Sequence, residues 1–93
     1  MAIEMRQELP GLTREQAEAV AAMINERARG APGFIAHASG PVPGGYHVTE
    51  FWESREAFER FSEEVVVPLM MRLNIAPPAA PAQYLPVENV ITR

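Results

Sequence analysis

Proline and glycine cut this chain of 93 residues into short pieces, and whatever regular structure forms has to fit between the cuts. The cuts fall at Pro10-Gly11, at Gly30, at Pro32-Gly33, and in two longer runs, Gly40-Pro41-Val42-Pro43-Gly44-Gly45 and Pro77-Pro78-Ala79-Ala80-Pro81. Each interval then declares its own period.

Before the first cut, Ile3, Met5 and Leu9 alternate with Glu4, Arg6 and Glu8, the pattern of a strand with one apolar and one charged face. Thr13-Arg14-Glu15-Gln16 has the form of a capping box. Ala17, Val20, Ala21, Ile24 and Ala28 follow at helical spacing as far as Gly30, with Arg27 and Arg29 placed favourably for the helix dipole. After Pro32-Gly33 a strand is expected to point Phe34, Ala36 and Ala38 one way and Ile35, His37 and Ser39 the other. The Gly40 to Gly45 run is a hairpin connection. On the return strand, Tyr46, Val48, Glu50 and Trp52 share a face, and His47, Thr49 and Phe51 take the opposite one. Ser54 caps a second helix with Glu56 near its start; its stripe is Ala57, Phe58, Phe61, Val65 and Leu69, and Pro68 should kink or divide it. Residues 77–81 read as an extended connector, and Tyr84 to Thr92 as a last strand.

The order strand, helix, strand, strand, helix, strand predicts an α+β fold of ferredoxin-like βαββαβ topology. One domain is expected over residues 1–93, a four-stranded antiparallel sheet with both helices on one face. On this reading Tyr46, Val48 and Trp52 lie on the uncovered face, where an apolar patch asks for an interface or a ligand.

Composition narrows the function classes. A net charge of −4 and a pI near 5.1 provide no basic footprint for nucleic acid or for an anionic membrane. The RNA-binding domains that share this topology need stacked aromatics on central strands and a basic surface, and neither is present. No apolar run is long enough to cross a bilayer. The opening residues alternate and lack the regions of a signal peptide, so a soluble cytoplasmic protein is expected. Without cysteine there is no disulfide, thiolate metal site or cysteine nucleophile. The two histidines are expected on different faces, so no metal site is expected, and no cofactor-binding motif is found.

Pro32-Gly33-Phe34, a hairpin, and then Glu50-Phe51-Trp52-Glu53-Ser54-Arg55-Glu56-Ala57-Phe58 resemble the antibiotic-biosynthesis-monooxygenase-like branch of the dimeric α+β barrels. The tryptophan, acid, serine, two residues, alanine, aromatic pattern at the strand-to-helix junction carries the likeness. The resemblance implies a homodimer whose two sheets face each other and enclose a pocket for a small apolar or aromatic ligand. Haem-degrading members use an asparagine, a second tryptophan and a histidine, at positions that fall near Met5, Phe61 and Met71 here; haem degradation is therefore not expected. The cofactor-independent monooxygenases keep the motif tryptophan, here Trp52. They add an asparagine four residues before it and a tyrosine six after it, here Val48 and Phe58, and an arginine for which Arg72 is a loose match.

With Phe34, Ala36 and Ala38 under the helices, His37 would look into the barrel beside Tyr46, Glu50 and Trp52. Such a set could deprotonate a phenol or enol, with His37 as base and Glu50 orienting it or acting in its place. Arg6, Tyr46, Val48, Trp52 and Phe58 are the expected ligand contacts. The structural alternatives are Trp52 as a pillar at the junction, Glu50 paired with Arg6 across the strands, His37 as a hydrogen-bonded strand residue, and His47 on the helix side or at the edge. Two functions stay open. One is a cofactor-independent monooxygenase-like enzyme acting on a small aromatic or polyketide-like molecule. The other is a non-catalytic dimeric barrel that binds a small ligand or has a filled core.

Overall fold

A computed structural model describes residues 1–78 and 80–93; Ala79, within the proline-rich connector, lies outside the described residues. The chain runs β1 (Ala2–Pro10), α1 (Arg14–Arg29), β2 (Phe34–Val42), β3 (Gly45–Trp52), α2 (Arg55–Phe61), a π-helical turn (Ser62–Val66), α3 (Val67–Arg72) and β4 (Gln83–Val87). The strands make one antiparallel sheet in the order β2-β3-β1-β4. This is the ferredoxin-like α+β arrangement, with α2, the π-helical turn and α3 together serving as the second helix.

Local chemistry sets the element ends. The Thr13 side chain accepts the Gln16 N–H at 3.1 Å while the Gln16 side chain accepts the Thr13 N–H at 3.0 Å, a complete capping box. Ser54 Oγ accepts the Ala57 N–H at 3.1 Å at the start of α2. The hairpin closes tightly through Pro43 and Gly44, with Val42 opposite Gly45 and Gly44 at φ +81°, where a side chain would be strained. Pro68 divides the second helix as expected. It has no N–H to donate, and the ladder widens just before it, where the Val67 N–H reaches back five residues to the Ser62 carbonyl.

Three expectations are corrected. β4 ends at Val87, well before Thr92, because Val87 pairs with Ala2 and β1 provides no partner beyond that residue. A β-bulge between Phe34 and Ala36 shifts the phase of β2, so that Phe34 stands opposite Trp52 and His37 opposite Glu50. Phe34 and His37 thus share a face, which strict alternation would forbid. Finally, the face carrying Tyr46, Val48, Glu50 and Trp52 is the helix-covered one. Its partners on β1 are Leu9, Gln7, Met5 and Ile3, and Met5 and Trp52 are fully buried.

The core gathers around Trp52. Its ring meets Phe34 and Phe61 at centroid distances of 5.3 Å each and Phe58 at 6.0 Å, with Ile24, Ala28 and Leu69 completing the cluster. The pairs with Phe34 and Phe58 are edge-on and that with Phe61 is tilted; edge-on aromatic pairs contribute about 0.5–1.5 kcal/mol each beyond area burial. Tyr84 ties the edge strand to α2: its ring lies 6.0 Å from Phe58 and carries the Arg55 guanidinium 4.0 Å above its centroid. Burial pushes the Tyr84 hydroxyl above the usual phenol range, against the opposing pull of Arg55. The opposite sheet face, with Ala36, Ala38, Thr49, Phe51 and Leu85 among Glu4, Arg6 and Glu8, carries no helix. Among the described residues no helix is long and apolar enough to cross a membrane.

Gly33 holds the motif junction together. It has φ +85°, its carbonyl accepts the Glu53 N–H at 2.7 Å, and a Cβ there would sit 2.7 Å from the Ala57 Cβ. Gly33→Ala is expected to destabilise the fold by more than about 1 kcal/mol. In a chain of this size that lowers the thermal midpoint by roughly 4–8 °C per kcal/mol. Thermal unfolding followed by circular dichroism checks it, and an unchanged midpoint would refute the close packing of Gly33 on α2.

Candidate active site

The space between the sheet and its helices is not filled along its whole length. α1 turns Ala17 and Ala21 toward the sheet beside Val20, and such short side chains leave room that leucines would close. The widened π-helical turn presents Ser62 and Val66, and α3 adds Val67 and Met70. The result is a cavity of about 530 Å³, whose floor is Met5, Gln7 and Leu9 of β1, His37 and Ser39 of β2, and Tyr46, Val48 and Glu50 of β3. Met71, Ile75, Pro77 and Pro78 stand at one end. A volume of this order suits a small-molecule ligand.

A chain of hydrogen bonds crosses the floor. Trp52 Nε1 donates to Glu50 Oε1 at 2.9 Å, and His37 Nδ1 lies 2.7 Å from Glu50 Oε2. Glu50 is 5 % exposed, the one charged residue among the buried set. An ionised carboxylate only accepts, so the proton of the His37 contact belongs on Nδ1. Nε2 then carries a lone pair. It has no hydrogen-bond partner among the described residues, and no polar side-chain atom without a partner is sealed from solvent. An imidazole on a cavity wall, held through Nδ1 by a buried carboxylate and open at Nε2, has the geometry of a general base.

The expected site residues divide by face. His37, Tyr46, Val48, Glu50 and Phe58 come together around the cavity. Trp52 lies behind Glu50, fully buried and off the cavity wall, so it reaches the site only through its N–H. Arg6 is on the opposite face of β1, 2.6 Å from Glu4; that hydrogen bond and the Glu4 charge raise it further above its already high range. The cross-strand neighbour of Glu50 on β1 is Met5, and Arg6 stands opposite Thr49, so the Glu50–Arg6 pairing does not form. His47 stands opposite Gly40 and Glu8, in the alternate phase of β3, yet it also lines the cavity, so both histidines stand on its wall.

Sequence reasoning missed Gln7, Asn25, Ser39 and Ser62, four polar groups on the cavity wall. Gln7 leaves a trace, since it occupies the apolar phase of β1 between Met5 and Leu9. Its amide reaches the Ala80 carbonyl at 3.3 Å, fastening the connector to the sheet. Ser39 shares the phase of His37 once the bulge is known, whereas nothing in the pattern marks Ser62. Among the described residues, histidine, cysteine, aspartate and glutamate nowhere gather in a group of three that could hold a metal.

No known protein family matches this chain, and no curated protein is similar to it. Solved structures are. The protein YJCS superposes with a TM-score of 0.70 at 12% identity, over 95% of this chain and 100% of that one. A variant of SnoaB, a cofactor-independent oxygenase from Streptomyces nogalater, gives 0.67 at 16% identity, over 99% and 97%. A Chloroflexus aurantiacus protein assigned to the antibiotic biosynthesis monooxygenases gives 0.66 at 20% identity, over 97% of each chain. The chain therefore has the fold of the antibiotic-biosynthesis-monooxygenase structures, an ABM-like α+β architecture along nearly its whole length.

Proposed function

We propose that this protein is a cofactor-independent monooxygenase-like enzyme that deprotonates and oxidises a small aromatic or polyketide-like molecule between its sheet and helices. The observation that carries the reading is His37, held through Nδ1 by buried Glu50 and open at Nε2 on an apolar cavity. SnoaB, of the same fold, is described as a cofactor-independent oxygenase. Val48 and Phe58 stand where that group's asparagine and tyrosine are expected, and the His37–Glu50 pair supplies a polar centre in their stead.

The chemistry follows from the geometry. A phenol or enol hydroxyl placed at Nε2 gives its proton to His37. The imidazolium is then held between the new anion and the Glu50 carboxylate, while Trp52 fixes the other carboxylate oxygen. The electron-rich anion passes an electron to dioxygen, and the resulting pair combines at carbon as a peroxide. His37 returns its proton to the peroxide, and the C–H and O–O bonds at that carbon then break to leave a new carbonyl; one dioxygen oxygen stays in the product and the other departs as water with the returned proton and the hydrogen from carbon.

The protein works, in this reading, as a single-domain homodimer joined through the sheet face that carries no helix. Phe51 is central there, on β3 between β1 and β2. Phe51→Glu is expected to give a folded monomer by sedimentation; a dimer of unchanged strength would remove that face from the interface.

His37→Gln is expected to lower turnover by about 100-fold or more, the usual contribution of a general base, with ligand affinity changed only a few-fold. Oxygen uptake measures the first and fluorescence of Trp52, the single tryptophan, the second, across small phenols, naphthols and quinones. Binding without any oxygen uptake in the intact protein would favour the non-catalytic binder. Glu50→Gln provides an independent check: its amide donates to Nδ1 and drives the ring proton to Nε2. Nitrogen NMR of the imidazole should show the tautomer reversed and turnover lost with it. Full activity in that variant would refute the base.

A further inference from the structure

The eight cationic side chains of this protein are all arginines, and every one of them is exposed. None reaches the cavity. Arg6, Arg14, Arg29 and Arg55 are engaged with Glu4, Glu18, Glu26 and Glu59, and Arg55 also covers Tyr84. The start of α1, a source of positive potential near Leu12 and Ala17, has its Gln16 N–H taken by Thr13 and carries Glu15. Of the twelve glutamates, only Glu50 lies on the cavity wall, with both oxygens occupied.

We infer that this cavity selects ligands by charge: it admits the neutral phenol or enol and refuses the same ring when it arrives as an anion. The inference deepens the base reading of His37 and rests on it for the identity of the ligand. An anion entering here would leave water with no guanidinium or ammonium to meet it, and it would approach the charge of Glu50. A neutral phenol loses only the hydration of one hydroxyl, which Nε2 restores as a hydrogen bond. Proton transfer then moves one proton from oxygen to Nε2 without changing the net charge of the site. The anion that reacts is made inside, beside the cation that forms with it.

The groups around His37 support this on every side. β3 contributes Glu50, Tyr46 and His47, the last reaching the wall from the alternate phase of its strand. The cavity-lining residues of β1, α1, the second helix and the connector carry no ionisable side chain. The alkaline fall of kcat/KM should therefore follow the acidity of the phenol itself, moving from ligand to ligand across a series, since a ligand already ionised has no proton to give to Nε2.

The test uses the intact protein and a matched pair, naphthol and its hydroxynaphthoate analogue, followed by Trp52 fluorescence at mildly alkaline pH. The carboxylated ring should bind about 100-fold more weakly. Binding of the two within tenfold, or of neither, would overturn the inference. Met70→Arg, which puts a guanidinium at the cavity wall, should strengthen hydroxynaphthoate binding at least about tenfold relative to naphthol; no gain in a folded variant counts against it. Discrimination that persists in His37→Gln, with no oxygen uptake by the intact protein, would sustain the charge selection and sink the base reading. Turnover that depends on His37, with equal binding of both rings, would do the reverse.

Discussion

A carboxylate shut away from water sets the terms for its surroundings. Burying the Glu50 charge costs several kcal/mol unless directed donors meet both oxygens. One donor comes from two residues along the same strand, the other from the facing strand. Both conditions fix the sheet. Residues 50 and 52 must share a face, which any strand provides, and residue 37 must stand opposite residue 50, which only one register provides. A slip by one position would strand a bare charge under the helices, so the polar chain guards the register that the apolar core alone would leave less sharply defined.

The same chain separates two tasks that a single apolar layer would blur. Toward α2, Trp52 is packed by three phenylalanine rings and admits no ligand. Beyond Glu50, toward the hairpin, the layer opens because alanines face the sheet. Packing is thus spent at one end of the layer to make the other end hollow, and Glu50 marks the boundary. The tryptophan, though off the wall, decides how the carboxylate beneath the histidine is turned.

Much of this was legible. Caps, proline-glycine breaks and the two periods located the six principal elements, because each is dictated by local chemistry. The choice of face was not. Ile35 is apolar, so β2 reads as a plausible strand in either phase, and a bulge changes the phase without changing composition. One signal was present and outweighed: the apolar phase of β1, Ile3, Met5 and Leu9, has to lie under the helices, and antiparallel pairing then carries Trp52, Glu50 and Tyr46 there with it. The candidate residues His37 and Glu50 are visible as chemistry. Their meeting on the covered side depended on long-range register. Arg6, expected as a ligand contact, stands in the charged phase of its strand and away from this cavity. The hollow between helix and sheet is a matter of side-chain volume summed over four elements, and no single segment announces it.

The π-helical turn has a consequence for how such a pocket could change over evolutionary time. In a helix each residue advances the direction of the next by about 100°. The widened turn at Ser62–Val66 resets which side chains downstream look inward, so that Leu69 enters the core while Val67 and Met70 reach the cavity. Deleting one residue there would restore an ordinary spiral and rotate the whole far wall at once, leaving the sheet and its buried polar chain untouched. A lineage built on this scaffold has a coarse dial for reshaping its chamber, turned by length instead of by substitution.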